Sequence, residues 1–177
     1  MLAGLPSRPA SIARRYMFDH YLEAAVLPNG FEIRCLPGEL ANERRRQRIY
    51  AALELINSLD PLRLRRIQRD ILYMAVIDGS RSYYWPNGKT IVLGSSDVDR
   101  SSPGMLASTI IHEGIHSRLH SGGFAYFPDA IRNRMESICV RAQLSFTKKL
   151  SHRDYPGMSR SIYYIVHRLR VGSWSID

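Results

Sequence analysis

Ser108-Thr109-Ile110-Ile111-His112-Glu113-Gly114-Ile115-His116 sets two histidines four residues apart around a glutamate, inside an apolar run. Four residues make a little more than one helical turn, so the two imidazoles share a face and can reach one metal ion. Glu113 projects off that face beside the first imidazole, where it can take a proton from a water at the metal without being a ligand. The flanks read as a helix. Ser102 is an N-cap followed by Pro103 at the first helical position. Ile110, Ile111, Ile115 and Leu119 keep helical apolar spacing, and Ser121-Gly122-Gly123 is a stop. The plain alternative is a pair of ordinary helical histidines.

A catalytic zinc site needs three protein donors and one open position. His120 does not serve, because a rise of 1.5 Å per residue sets it about 12 Å along the axis from His112. The position six residues beyond His116 is Gly122, which has no donor. Glu136, 20 residues beyond His116 in a second helical run that starts near Pro128, is the better candidate. A turn at Gly122 and Gly123 would return that helix antiparallel to the first and aim Glu136 at the metal.

His112-Glu113-x-x-His116 with a downstream helical Glu136 resembles the gluzincin branch of the zincin metallopeptidases, in which two histidines and a distal glutamate bind zinc. The segment from Ile91 to Leu150 is similar to a group of short bacterial zinc peptidases. In those, the metal helix is followed by an Arg-rich helix carrying the third ligand, here Arg132-Asn133-Arg134-Met135-Glu136-Ser137-Ile138-Cys139. The resemblance spans about a third of the chain. Thermolysin-type relatives have an Asn before the distal glutamate and a Ser-Asp pair after it; Met135 stands in the Asn place, so those neighbours' roles do not transfer. The resemblance implies a helix-rich α+β, zincin-like domain whose small sheet precedes the metal helix. It also implies Zn2+ on His112, His116 and Glu136, with Glu113 as general base. A peptide or protein would be the substrate, held extended along an edge strand.

With 177 residues and 45% hydrophobic side chains, the chain suits one globular domain, read as 15–177 behind a mobile tail at 1–14. The net charge of +9 raises nucleic acid as a partner. Only Lys89, Lys148 and Lys149 of the 25 basic side chains are lysine, and the arginines are spread over several helices instead of one stripe. Solvated helix faces explain that spread better than a nucleic-acid surface does. Cys35 and Cys139 have neither metal-ligand spacing nor a disulfide framework and read as buried free thiols. No signal peptide or apolar run of membrane-spanning length is visible, so the expected location is cytoplasmic.

Outside the motif, Tyr16 to Val26 is readable as helix or strand. Phe31 to Cys35 alternates as a half-buried strand after the turn Pro28-Asn29-Gly30, giving a hairpin with the segment before it. Glu39 to Ser58 is a helix with Ile49, Leu53, Ile56 and Leu59 inward and Glu43 to Arg48 in water. Asp60-Pro61 opens a short helix to about Gln68. Ile71 to Ile77, Ser82 to Trp85 and Lys89 to Leu93 are strands of a small sheet. Gly94 to Ser102 is polar and loop-like, and its Asp97 and Asp99 lack calcium-loop spacing. Phe124 to Phe127 would wall the cleft or fill the core. The helix from Pro128 to Leu150 turns Ile131, Met135, Ile138, Ala142 and Phe146 inward, and a last helix runs from about Ser159 to Arg170. An oxyanion donor would come from His152, Tyr155, Tyr163, Tyr164 or His167, among which the sequence does not choose. Besides a peptidase, two other functions fit: a regulatory zincin-like protein, and a basic nucleic-acid-binding module with an accidental motif.

Overall fold

The computed structural model describes residues 22–37, 41–124 and 129–150. The N-terminal tail, the start of the helix read from Glu39, the segment Ala125 to Pro128 with its aromatic residues Tyr126 and Phe127, and the final helix with its oxyanion candidates lie outside them. Strands β1 (Glu23–Val26) and β2 (Glu32–Cys35) form the expected hairpin, pairing Glu23 with Cys35 and Val26 with Glu32. The ambiguous segment before the turn is therefore a strand where it is described. Helices α1 (Ala41–Leu59) and α2 (Pro61–Asp70) follow, then β3 (Tyr73–Ile77), β4 (Tyr83–Trp85) and β5 (Thr90–Gly94). The five strands make one mixed sheet in the order β1-β2-β3-β5-β4, with β2, β3 and β5 parallel and both outer strands antiparallel to their neighbours. The fold is α+β and helix-rich, and the sheet precedes the helix that carries the histidine motif.

Strand alternation sorts the two faces of the sheet. Ile33, Cys35, Met74, Val76, Tyr84, Ile91 and Leu93 face α1, α2 and the motif helix in the main core, with Ile49, Leu53, Ile56, Leu106, Ile110 and Ile111 opposite them. Tyr73, Ala75, Trp85 and Val92 form a smaller cluster on the other face, where the Arg34 guanidinium sits 3.9 Å above the Tyr73 ring.

The loop expected at Gly94 to Ser102 is instead a helix, α3 (Ser95–Arg100). Its own sequence is a poor helix former, and tertiary contacts hold it. Arg45 grips Asp99 through two nitrogens, with contacts of 2.8 to 3.2 Å, and Arg48 donates to the carbonyls of Val98 and Ser101 at the C-terminal end of α3. Asp97, in the first turn, accepts from the Ser82 hydroxyl at 2.9 Å. Arg45 and Arg48 are thus not the solvated side chains expected of the outer face of α1; they fasten α3 to it.

Helix α4 (Pro103–Ser121) starts as read, with the Ser102 hydroxyl accepting from the Met105 amide. It ends in a Schellman turn: the Phe124 amide bonds the Leu119 carbonyl, the Gly123 amide bonds that of His120, and Gly123 takes φ of +85°. Helix α5 (Asp129–Thr147) follows. Gly114 lets α2 lie close against α4, since a methyl group there would meet Ile67 Cγ1 at 2.7 Å.

Asp60 joins three helices. It caps α2 by accepting from the Arg63 amide, pairs with the Arg63 side chain at 3.0 Å, and receives the Lys149 ammonium, just beyond α5, at 3.2 Å. Burial by itself raises the Asp60 carboxyl, but the hydrogen bonds from Arg63 and Lys149 outweigh it and hold the group below its ordinary value. The folded state therefore favours the carboxylate. That stability is present above the unfolded value of about 3.9 and is lost as pH falls through the folded value. Asp60→Asn, which keeps a capping oxygen, should be less stable than wild type at neutral pH, and chemical denaturation should show the two curves merging in acid. Asp60→Ala should lose about 0.5 to 2 kcal/mol for the cap in addition.

Candidate metal centre

One turn of α4 and one face of α5 build the site. His112 and His116 point the same way, their ring centroids 4.9 Å apart and their Nε2 atoms 3.1 Å apart. Glu136 reaches across from α5 and spans both: one carboxylate oxygen is 3.3 Å from His112 Nε2, the other 3.3 Å from His116 Nε2. Gln143, two turns further along α5, meets His112 at Nδ1. Because the later residue of α5 meets the earlier histidine, the two helices run antiparallel, as a turn at Gly122 and Gly123 requires.

These separations suit a cation. Bonds of about 2.0 to 2.1 Å to a tetrahedral zinc place neighbouring donors about 3.3 Å apart, which is the spacing found here. Two imidazole lone pairs facing each other at 3.1 Å repel unless a proton or a metal lies between them. The donor set of two imidazoles and one carboxylate is a borderline set that zinc accepts readily. His112, His116 and Glu136 are the residues that would hold it.

The electrostatics point the same way. Burial pulls His112 toward the neutral form, but the Glu136 hydrogen bond and the charges of Glu113 and Glu136 outweigh it and raise its basicity. Burial raises the Glu136 carboxyl, yet the two imidazoles hold it down at about 2. A pocket that favours an extra proton on nitrogen beside a fixed carboxylate also favours a metal cation in the proton's place.

Glu113 is 8% exposed, and burial, the largest influence, pushes its carboxyl up. The two imidazoles and a hydrogen bond from the Tyr84 backbone pull the other way without overcoming it. Glu113 therefore lies between the metal-side histidines and the edge strand β4, off the face that carries the ligands. His120 stays away from the site, packed edge-on against the Tyr84 ring at 6.0 Å between centroids.

Two residues of the site were not visible as such in the sequence. The inward face of α5 is rotated from the expected stripe: Met135, Cys139, Val140 and Phe146 are buried, whereas Ile131, Ile138 and Ala142 are only partly so. Glu136, Cys139 and Gln143, at helical spacings of three and four, consequently share the face turned toward α4. The Cys139 sulfur and one ring nitrogen of each histidine all lie within 4.8 Å of one another. Burial pushes the Cys139 thiol up, and the charges of Glu136 and Glu113 push it further. Glu136 is the closer third donor, with 3.3 Å contacts to both imidazoles. The spacing of Glu136, Cys139 and Gln143 was the one signal that could have revealed the group.

Compared with models of known protein families, with curated proteins and with solved structures, the chain matches none.

Gln143 Oε1 lies 3.3 Å from His112 Nδ1, so a proton on Nδ1 is held there and Nε2 is left as the donor. Gln143→Leu should weaken zinc binding by about 10- to 100-fold in a chelator competition, the usual cost of removing such an orienting partner. Gln143→Glu, which keeps the acceptor, should bind zinc at least as tightly as wild type.

Proposed function

We propose that the protein is a zinc-dependent metallopeptidase that hydrolyses peptide bonds, with His112, His116 and Glu136 as metal donors and Glu113 as general base. The observation that carries this reading is the convergence of three donor atoms at tetrahedral spacing beside a buried carboxylate that is not one of them. Zinc bound there would supply Lewis acidity to a water and to the scissile carbonyl. Glu113 takes the proton of the attacking water and returns it to the leaving amine. Its raised affinity for protons suits both halves of that transfer, because a base closer to neutrality accepts a proton more readily. Gln143 keeps the first imidazole in orientation.

Strand β4 supports a peptide as substrate. Among the described residues it is the outer strand on the side of the sheet next to Glu113, paired with β5. An extended peptide added along it would gain main-chain hydrogen bonds without strict sequence choice and would pass the general base. No helix among the described residues is long and apolar enough to cross a membrane. A cytoplasmic location is part of this proposal, supported by two buried cysteines, Cys35 and Cys139, that are not joined in a disulfide.

Metal analysis of the purified protein should find one zinc per chain, lost in His116→Ala. Glu113→Gln should retain that zinc and lower turnover of a peptide library by about 10²- to 10⁴-fold. Wild-type turnover in Glu113→Gln would remove the general-base role, and a chain without stoichiometric zinc would remove the peptidase reading altogether.

A further inference from the structure

Cys139 has no task in the chemistry above, although it is wholly buried and sits on the same face of α5 as Glu136 and Gln143. Its sulfur and one ring nitrogen each of His112 and His116 lie within 4.8 Å of one another. Around a tetrahedral zinc with bonds of about 2.3 Å to sulfur and 2.0 Å to nitrogen, those atoms would stand about 3.5 Å apart. A shift of little more than about 1 Å at most, within reach of a small side-chain adjustment, closes that difference.

We propose that Cys139 is a fourth protein donor, so that with no substrate present the metal is held by His112, His116, Glu136 and the Cys139 sulfur. The inference rests on the metal-site reading given above and adds a resting state to it. On ligation the thiol gives its proton to solvent and the sulfur takes the position a water would otherwise fill. Four protein donors close the site, as in structural zinc centres; hydrolysis then requires the sulfur to withdraw. A sulfur donor also biases the site toward zinc, cobalt and cadmium and against magnesium, calcium and manganese, which a set of nitrogen and oxygen donors alone would discriminate less.

Cobalt reports thiolate ligation directly. Metal-stripped full-length wild type, Cys139→Ser and Cys139→Ala would each be titrated with Co2+ and followed by absorption. Wild type should develop the visible bands of tetrahedral cobalt together with a thiolate-to-cobalt charge-transfer band in the near ultraviolet. Both variants should keep the visible bands and lose the near-ultraviolet one. X-ray absorption of the zinc-loaded wild type should find one sulfur neighbour at about 2.3 Å, a readout that needs no variant to fold. Visible cobalt bands in wild type without the charge-transfer band, or a zinc shell of nitrogen and oxygen only, overturns the role of Cys139 and leaves the three-donor site standing. No cobalt uptake by wild type overturns both.

Discussion

The carboxylate of Glu136, shared between two imidazoles of the neighbouring helix, is the constraint on which the arrangement of α4 and α5 turns. A half-buried carboxylate with only an apolar stripe beside it would pay a desolvation cost of several kcal/mol; flanked by two nitrogens at 3.3 Å, it has partners for both oxygens. That pairing fixes the register of α5 along α4. The same register brings Gln143 to His112 and Cys139 to the histidine nitrogens, because all three residues lie on one face of α5. The Schellman turn at Gly122 and Gly123 makes the reversal sterically possible, and the polar contacts set where the returning helix stops.

The sheet serves the site from the other side of α4. Inward residues of β3 and β5 and the apolar positions Leu106, Ile110 and Ile111 hold the helix rigidly on one face, while β4 supplies a backbone hydrogen bond to Glu113. The short helix α3 links β5 to α4 and is clamped to α1 by Arg45 and Arg48. The first turn of the motif helix is thus fixed to the part of the core that the parallel strands define. Functional side chains placed on braced helices in this way keep their geometry better than side chains on loops would.

What the sequence disclosed follows from the range over which each signal acts. Local signals were sufficient for α1, for α2 with its Asp60 cap, and for both ends of α4, since caps, prolines and glycines work within a turn. Alternation was sufficient for β2 and a continuous apolar run for β3, while β1 stayed open between helix and strand; pairing β2 with β3 in parallel across two helices involves contacts that no local pattern encodes. Helix α3 was missed because long-range guanidinium contacts hold it, contacts that its own polar sequence does not announce. In the site, His112, Glu113, His116 and Glu136 were legible from spacing. The geometry brings all four together: three converge, and Glu113 lies beside them. Cys139 was read as a buried thiol, as it is, but its place and that of Gln143 beside the histidines were not legible: Met135 and Phe146 are inward as read, whereas Ile131, Ile138 and Ala142 are only partly buried.

Two carboxylates in one small site are driven in opposite directions by their surroundings. Glu136 lies against both imidazoles at hydrogen-bonding range and is held at about 2, so it remains an anion under any ordinary condition. Glu113 is more deeply buried, its partners are weaker, and the fixed charge of Glu136 adds to the pressure toward the protonated form. A carboxylate held in its charged form suits a metal donor, and one whose affinity for a proton is raised by burial suits a base. One residue's offset along α4 turns Glu113 off the face that His112 and His116 share, while leaving it close enough to feel their charge. The opposite protonation tendencies of the two carboxylates are therefore a consequence of burial and helical phase, and the proposed division of labour rests on them.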